Sequence, residues 1–201
     1  LNSFETFVKM LAGRIGQLLN LTALADDIGI SVPTIKAWLS VLEASFIVCQ
    51  LPCYYENFGK RLVKNKKIYF TEVGLASWLL GIDSSEQVAR DPLFGALFEN
   101  MVVMEILKTR CNAGEMPDLY FLRDSQGFEI DLLFKQSHTR LVPMEIKGGM
   151  TWNRGFCGNL LKLRKLSEKF TPGFVIYAGD LTPEIEGIQY LNFKDAASAV
   201  K

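Results

Sequence analysis

The stretch that decides the fold is Gly127–Gly149, GFEIDLLFKQSHTRLVPMEIKGG. It holds two apolar runs, FEIDLLF and LVPMEIK, each interrupted by charge, with a polar turn between them. If both runs are strands, side chains two residues apart share a face. Glu129 and Asp131 then lie together on the first strand, and Glu145 and Lys147 together on the second. A hairpin brings Asp131, Glu145 and Lys147 into one cluster. Three charges inside apolar strands are costly unless they are paired or bind a metal. The carboxylates suit a hard cation such as magnesium, which takes oxygen ligands and keeps several waters. The lysine would steady a developing negative charge or orient an attacking water. Glu129 is either a second acidic ligand or the solvated start of its strand, and the latter is the preferred reading.

The rest of the composition narrows the classes. With 201 residues, 49% of them hydrophobic and 22% charged, the chain is ordinary globular material for one large or two small domains. Its 22 basic and 22 acidic residues cancel, so only local clustering can point to nucleic acid. No apolar run reaches the roughly 18 residues of a membrane span, and no signal peptide is visible. Four cysteines without a CxxC pair and a single histidine, His138, do not make a zinc site. Reduced structural cysteines and a cytoplasmic location without a membrane partner are expected. The chain opens at Leu1, inside what reads as a helix, and a piece of a longer protein is expected.

Upstream, Phe4, Phe7, Val8, Leu11, Ile15, Leu18 and Leu19 recur at helical spacing across Leu1–Leu19. A short helix over LTALADDI ends at Gly29. Ser31 then caps a second, with Pro33 in its first turn. Two short helices around a Gly-containing turn read as a helix-turn-helix. The strands on either side of a basic loop, within FIVCQLPCYYENFGKRLVKNKKIYF, complete a winged helix. Lys36 on the exposed face of the recognition helix, with Lys60, Arg61, Lys64, Lys66 and Lys67 in the wing, is the candidate nucleic-acid surface. That helix offers no Arg, Asn or Gln to read bases, so docking or spacing is the competing role. Trp78, Leu79 and Leu80, in TEVGLASWLLG, read as core.

Past the polar stretch IDSSEQVARDP, Leu93–Arg110 reads as a helix that is apolar nearly all round. Glu99 and Glu105 are its acids, and six residues put them about 240° apart, so they cannot serve one site. DLYFLRD, GFVIYAG and GIQYLNF read as further strands. Cys157–Phe170 reads as an amphipathic helix with a basic face.

The spacing D-x(13)-E-x-K of Asp131, Glu145 and Lys147 across the hairpin resembles the PD-(D/E)xK nuclease signature. The order of FGKRLVKNKKIYF, GLASWLLG, PLFGALFENMVVMEIL, YFLRDSQGFEIDLL and MEIKGG is similar to the C-terminal half of a large family of prokaryotic AAA-type ATPases, catalogued as a domain of unknown function. The resemblance implies an α/β (α+β) chain, with a winged helix-turn-helix domain over 1–81, a linker over 82–92 and a restriction-endonuclease-like α/β sandwich over 93–201. It implies magnesium on Asp131, Glu145 and the Ile146 carbonyl. It also implies Lys147 as the catalytic lysine, and Glu99 as a helix glutamate that holds a water of the metal. The competing role for Glu99 is a buried salt bridge, with Lys147 as candidate partner. The implied function is magnesium-dependent DNA phosphodiester hydrolysis in the C-terminal region of an AAA-type ATPase. The rival is a non-catalytic module that docks DNA or protein partners for that ATPase. ATP would bind only in a missing upstream module, because no G-x-x-x-x-G-K-[ST] occurs here. An oligomer is left open.

Overall fold

The computed structural model describes residues 2–54 and 65–200. Helices and a six-stranded mixed sheet make it an α/β chain of two compact units. One comprises Leu1–Leu51 with Asn65–Met101, the other Pro52–Lys64 with Val102–Lys201. Among the described residues no helix is long and apolar enough to cross a membrane.

The first unit begins with helices α1 (Asn2–Ala12), α2 (Leu21–Ile28) and α3 (Val32–Ala44). The periodicity that suggested a helix as far as Leu19 breaks early. Gly16 takes a left-handed backbone (φ 71°), and its N–H donates to the Ile68 carbonyl at 2.8 Å. Ile15 and Leu19 are therefore buried as turn residues rather than helical ones. The caps follow the sequence: the Asn20 side chain accepts from the Ala23 N–H, the Ser31 hydroxyl accepts from the Thr34 N–H, and Gly29 closes α2 at φ 77°. An antiparallel ribbon of β1 (Val48–Leu51) and β2 (Lys67–Phe70) pairs Val48 with Phe70. Phe7, Leu11, Leu24, Ile35, Leu39, Ile68 and Phe70 form the core, and Trp38 stacks its edge on Phe4.

Helices α4 (Val73–Leu79), α5 (Ser85–Arg90) and the first part of α6 (Phe94–Asn112) complete this unit. Trp78, expected in the core, is 69% exposed. Ala76 is the fully buried residue of α4, and Leu79 and Leu80 pack against the core as expected, but two positions on from Ala76, about 200° round the helix, Trp78 faces out. The stretch read as a linker carries α5, capped by the Ser84 hydroxyl on the Gln87 N–H. The unit boundary falls inside α6. Leu97 belongs to the first core, and buried Asn100 clasps the Phe70 backbone, accepting from its N–H at 2.8 Å and donating to its carbonyl at 2.9 Å.

The second unit is built on one sheet with strand order β3-β4-β5-β6-β8-β7. Its strands are β3 (Leu119–Arg123), β4 (Glu129–Lys135), β5 (Leu141–Lys147), β6 (Phe174–Tyr177), β7 (Glu184–Ile185) and β8 (Ile188–Asn192). β3, β4 and β5 form an antiparallel meander, while β6 runs parallel to both β5 and β8. The amphipathic segment expected over 157–170 is helical only as α7 (Gly158–Arg164), after a 3-10 turn over Arg154–Cys157. Leu160 and Leu163 of α7 bury against Ile130, Leu133, Val175 and Tyr190. Central strand β5 is buried from Leu141 to Ile146, as a strand covered on both faces must be.

One irregularity matters for the site. Tyr120 pairs with Leu133, but Leu122 pairs with Ile130, so Asp131 and Leu132 together oppose Phe121. This is a β-bulge in β4, a device that re-aims a side chain and sharpens local twist.

Candidate functional site

The β4–β5 ladder ends at the pair Leu132–Met144. One step further, Asp131 supplies its side chain where a backbone acceptor would otherwise stand. Its Oδ2 accepts from the Ile146 N–H at 2.8 Å and from the Lys147 ammonium at 3.0 Å. The same ammonium lies 2.6 Å from Glu145 Oε2. The structure thus brings Asp131, Glu145, Ile146 and Lys147 together, as alternation across the hairpin anticipates. The bulge that aims Asp131 was not anticipated. Side-chain exposure is 2% at Glu145, 14% at Asp131 and 33% at Lys147. The cluster therefore meets solvent chiefly through the lysine.

Asn159, which sequence reasoning missed, reaches in from α7. Its Nδ2 donates to the Glu129 carbonyl at 3.2 Å and lies 3.5 Å from Glu145 Oε1. A polar residue early in a short helix looks like any first-turn residue, so the sequence held no signal for it. Glu129 itself pairs with Arg123 across β3–β4 at 3.0 Å, with 23% of its side chain exposed.

Burial, reinforced by the negative charge of Asp131, raises the Glu145 carboxyl from 4.5 to about 8, with Lys147 and Asn159 opposing the rise. For Lys147, burial favours the neutral amine. The Asp131 and Glu145 carboxylates outweigh it and hold the ammonium above its ordinary value. A carboxyl whose native pKa is raised adds stability that is fully present below about 4.5 and lost as pH rises through about 8. The lysine is lost only above its ordinary 10.5, outside that window. Urea unfolding of the metal-free chain is therefore expected to show stability falling between pH 5 and pH 8, by on the order of a few kcal/mol. Glu145→Gln should flatten that fall. Parallel curves for the two proteins would mean that Glu145 is ionised throughout.

Glu99 is engaged elsewhere. Within the first unit its Oε1 accepts from Lys67 Nζ at 2.9 Å and from the Tyr69 hydroxyl at 2.5 Å. Its salt-bridge partner among the described residues is Lys67, not Lys147. This corrects Lys67 as well. Expected to contact phosphates from a basic wing, its side chain is only 3% exposed and points inward. β2 alternates faces, and the face that carries Lys67 and Tyr69 is the one that meets Glu99. Of the other basic candidates, Lys36 and Lys66 are exposed, while Lys60, Arg61 and Lys64 lie outside the described residues.

Among the described residues no group of three or more His, Cys, Asp and Glu side chains could hold a metal. The cation that the sequence leads one to expect is magnesium. This ion commonly takes one or two carboxylates and completes its shell with water. Asp131 and Glu145, with the Ile146 carbonyl as a third oxygen, fit that pattern. Lys147 already stands between the two carboxylates, so a cation there would have to shift it.

A model of the family described as Domain of unknown function (DUF4143) matches residues 94–195, and one described as Domain of unknown function (DUF8612) matches residues 1–86. Two curated relatives, uncharacterized proteins of Mycobacterium bovis and Mycobacterium tuberculosis, are each 33% identical over 129 residues. That alignment covers 64% of this chain but 28% of either relative, so the chain spans little more than a quarter of the length of the curated relatives it matches.

Proposed function

This chain belongs to the family described as Domain of unknown function (DUF4143), and from that premise we propose that its second unit is a PD-(D/E)xK nuclease-like domain that hydrolyses DNA phosphodiesters with magnesium. The observation that carries the reading is the buried carboxylate pair Asp131–Glu145, gathered with Lys147 where the β4–β5 ladder ends. Asp131, Glu145 and the Ile146 carbonyl would hold the ion. Magnesium, when bound, would supply a Lewis acid for the phosphate and an acidified water. Lys147 sets a positive charge beside the position where phosphate charge develops. Asp131 fixes the direction of that ammonium through its 3.0 Å contact. Asn159 steadies the Glu145 carboxyl from α7. The helix glutamate of the nuclease pattern is not carried over, because Glu99 is already bound by Lys67 and Tyr69.

The first unit opens with three helices followed by a two-stranded ribbon, and that order supports the winged-helix reading. Lys36 and Lys66 remain its described phosphate contacts, and base specificity is expected to be low. In the longer protein, an AAA-type ATPase module would supply the ATP-dependent step, with this chain as its C-terminal region.

The assay that tests the reading measures cleavage of linear and branched DNA with magnesium or manganese. Asp131→Ala and Lys147→Ala should each lose at least ~100-fold in rate, while Glu86→Ala, on exposed α5, should cut normally. Equal rates for the three variants would contradict it.

A second reading has an observation of its own. Lys147 already satisfies both carboxylates at 2.6 and 3.0 Å, as a purely structural ion-pair cluster would. On that reading the fold is a non-catalytic module that docks partners, and metal leaves its stability unchanged.

A further inference from the structure

At the opposite end of the same sheet, a second site stands apart from the acidic cluster. A cleft of about 200 Å³ opens where β5, β6 and β8 begin. Because β6 runs parallel to both its neighbours, these three strands start together at this end and finish together at the other. Val142 and Phe174, with Ala199 from the 3-10 segment Phe193–Val200, give the cleft an apolar wall. Arg140, Gln136 and Gln189 form its polar rim. About 16 Å of extended strand separate Val142 from Lys147, so a ligand in the cleft would not reach the cluster.

The lining is short of one thing, an anion. The side chains of Arg140, Gln136 and Gln189 have no hydrogen-bond or ion-pair partner among the described residues. Among the described residues, no acidic side chain lines the cleft. The turn that forms its floor depends on Gly173, held at φ 82°, where a Cβ would lie 2.2 Å from the Pro143 carbonyl oxygen. Glycine alone lets that turn lie so close against β5, which fixes Phe174 beside Val142.

The chemistry of a matching ligand follows from these groups. A guanidinium fork fits a carboxylate with two parallel hydrogen bonds. A single guanidinium, with no second cation among the described lining residues, balances a monoanion better than a doubly charged phosphate. The volume lies below the range of drug-sized pockets, and the wall is apolar. We propose that this cleft binds the carboxylate of a small ligand with a short apolar body, the carboxylate on Arg140 and the body against Val142, Phe174 and Ala199. The carboxylate could belong to a free organic acid or to the C-terminus of a peptide. The site does not depend on the nuclease-like reading of the other end.

The test is a nitrogen-15 NMR titration of the full chain with hexanoate, inorganic phosphate, and a short peptide ending in Leu with a free or an amidated C-terminus. Hexanoate or the free-acid peptide should move the resonances of Gln189 and Phe174 at millimolar concentration. Arg140→Gln should weaken that binding at least about tenfold. Arg140→Lys, which keeps the charge but loses the fork, should fall between. Arg140 is exposed, and the undisturbed resonances of the variants report that they fold. Tighter binding of the peptide identifies a C-terminus as the source, and equal or tighter binding of hexanoate identifies a free acid. The assignment is overturned if phosphate binds more tightly than either carboxylate. It is equally overturned if the amidated peptide binds as well as the free acid, if Arg140→Gln changes nothing, or if no probe moves these resonances.

Discussion

Lys147→Met should destabilise the metal-free chain by about 2–3 kcal/mol and at the same time strengthen its response to magnesium. Removing one partner of a buried ion pair costs about 3–5 kcal/mol. The lower figure applies because a third of this lysine is exposed, and because Glu145, already shifted upward by burial, can hold a proton in place of the lost contact. The second half of the result separates the two readings. The ammonium lies 2.6 and 3.0 Å from two carboxylates, in the space a cation would share with them. Without it, a divalent ion enters without displacing a charge, and mass action raises the unfolding midpoint further than in the wild type. DNA cleavage should be lost in the same variant. A purely structural ion pair predicts the destabilisation alone, with magnesium doing nothing for either protein. Urea unfolding with and without magnesium measures both halves together.

Lys67→Met should be the most damaging substitution in the first unit, with an expected cost of about 3–5 kcal/mol. Its ammonium is almost wholly buried, 2.9 Å from Glu99 Oε1, on the carboxylate that also accepts from Tyr69. The methionine fills most of the lysine's volume, so the loss reports the ammonium removed from beside Glu99 and not a cavity. Lys67→Met with Glu99→Gln should recover most of that loss, since a neutral amide can still accept from Tyr69. Lys66→Met, one position away on the exposed side, should cost under about 0.5 kcal/mol. Similar losses at the two positions, by chemical denaturation, would mean that Lys67 is solvated as a wing residue would be.

The hairpin and the gathering of Asp131, Glu145 and Lys147 were legible because strand periodicity is local. Each side chain's face follows from its neighbours two positions away. Three features that refine the site were not legible, and all three are non-local. The bulge at Asp131–Leu132 exists only relative to β3, whose register shifts between Tyr120 and Leu122. Asn159 matters because α7 lies over β4 and β5, a placement made by Leu160 and Leu163 rather than by any motif. Lys67 reads as part of a solvated run, KNKK, until Glu99, 32 positions later, takes it inward. Trp78 failed in the other direction. Its apolar neighbours Leu79 and Leu80 do pack against the core, but Trp78 lies on the side of α4 turned away from Ala76. The clasp of Asn100 on the Phe70 backbone was invisible for the same reason, since its partner is a strand's main chain and not a side-chain pattern.

A cation site at Asp131 and Glu145 would show itself in thermal unfolding of this chain in EDTA, magnesium and manganese, for wild type and Asp131→Ala. A rise in midpoint with either metal is expected for the wild type, and none for Asp131→Ala. An unchanged wild-type midpoint in both metals would contradict it and leave the cluster as an ion pair.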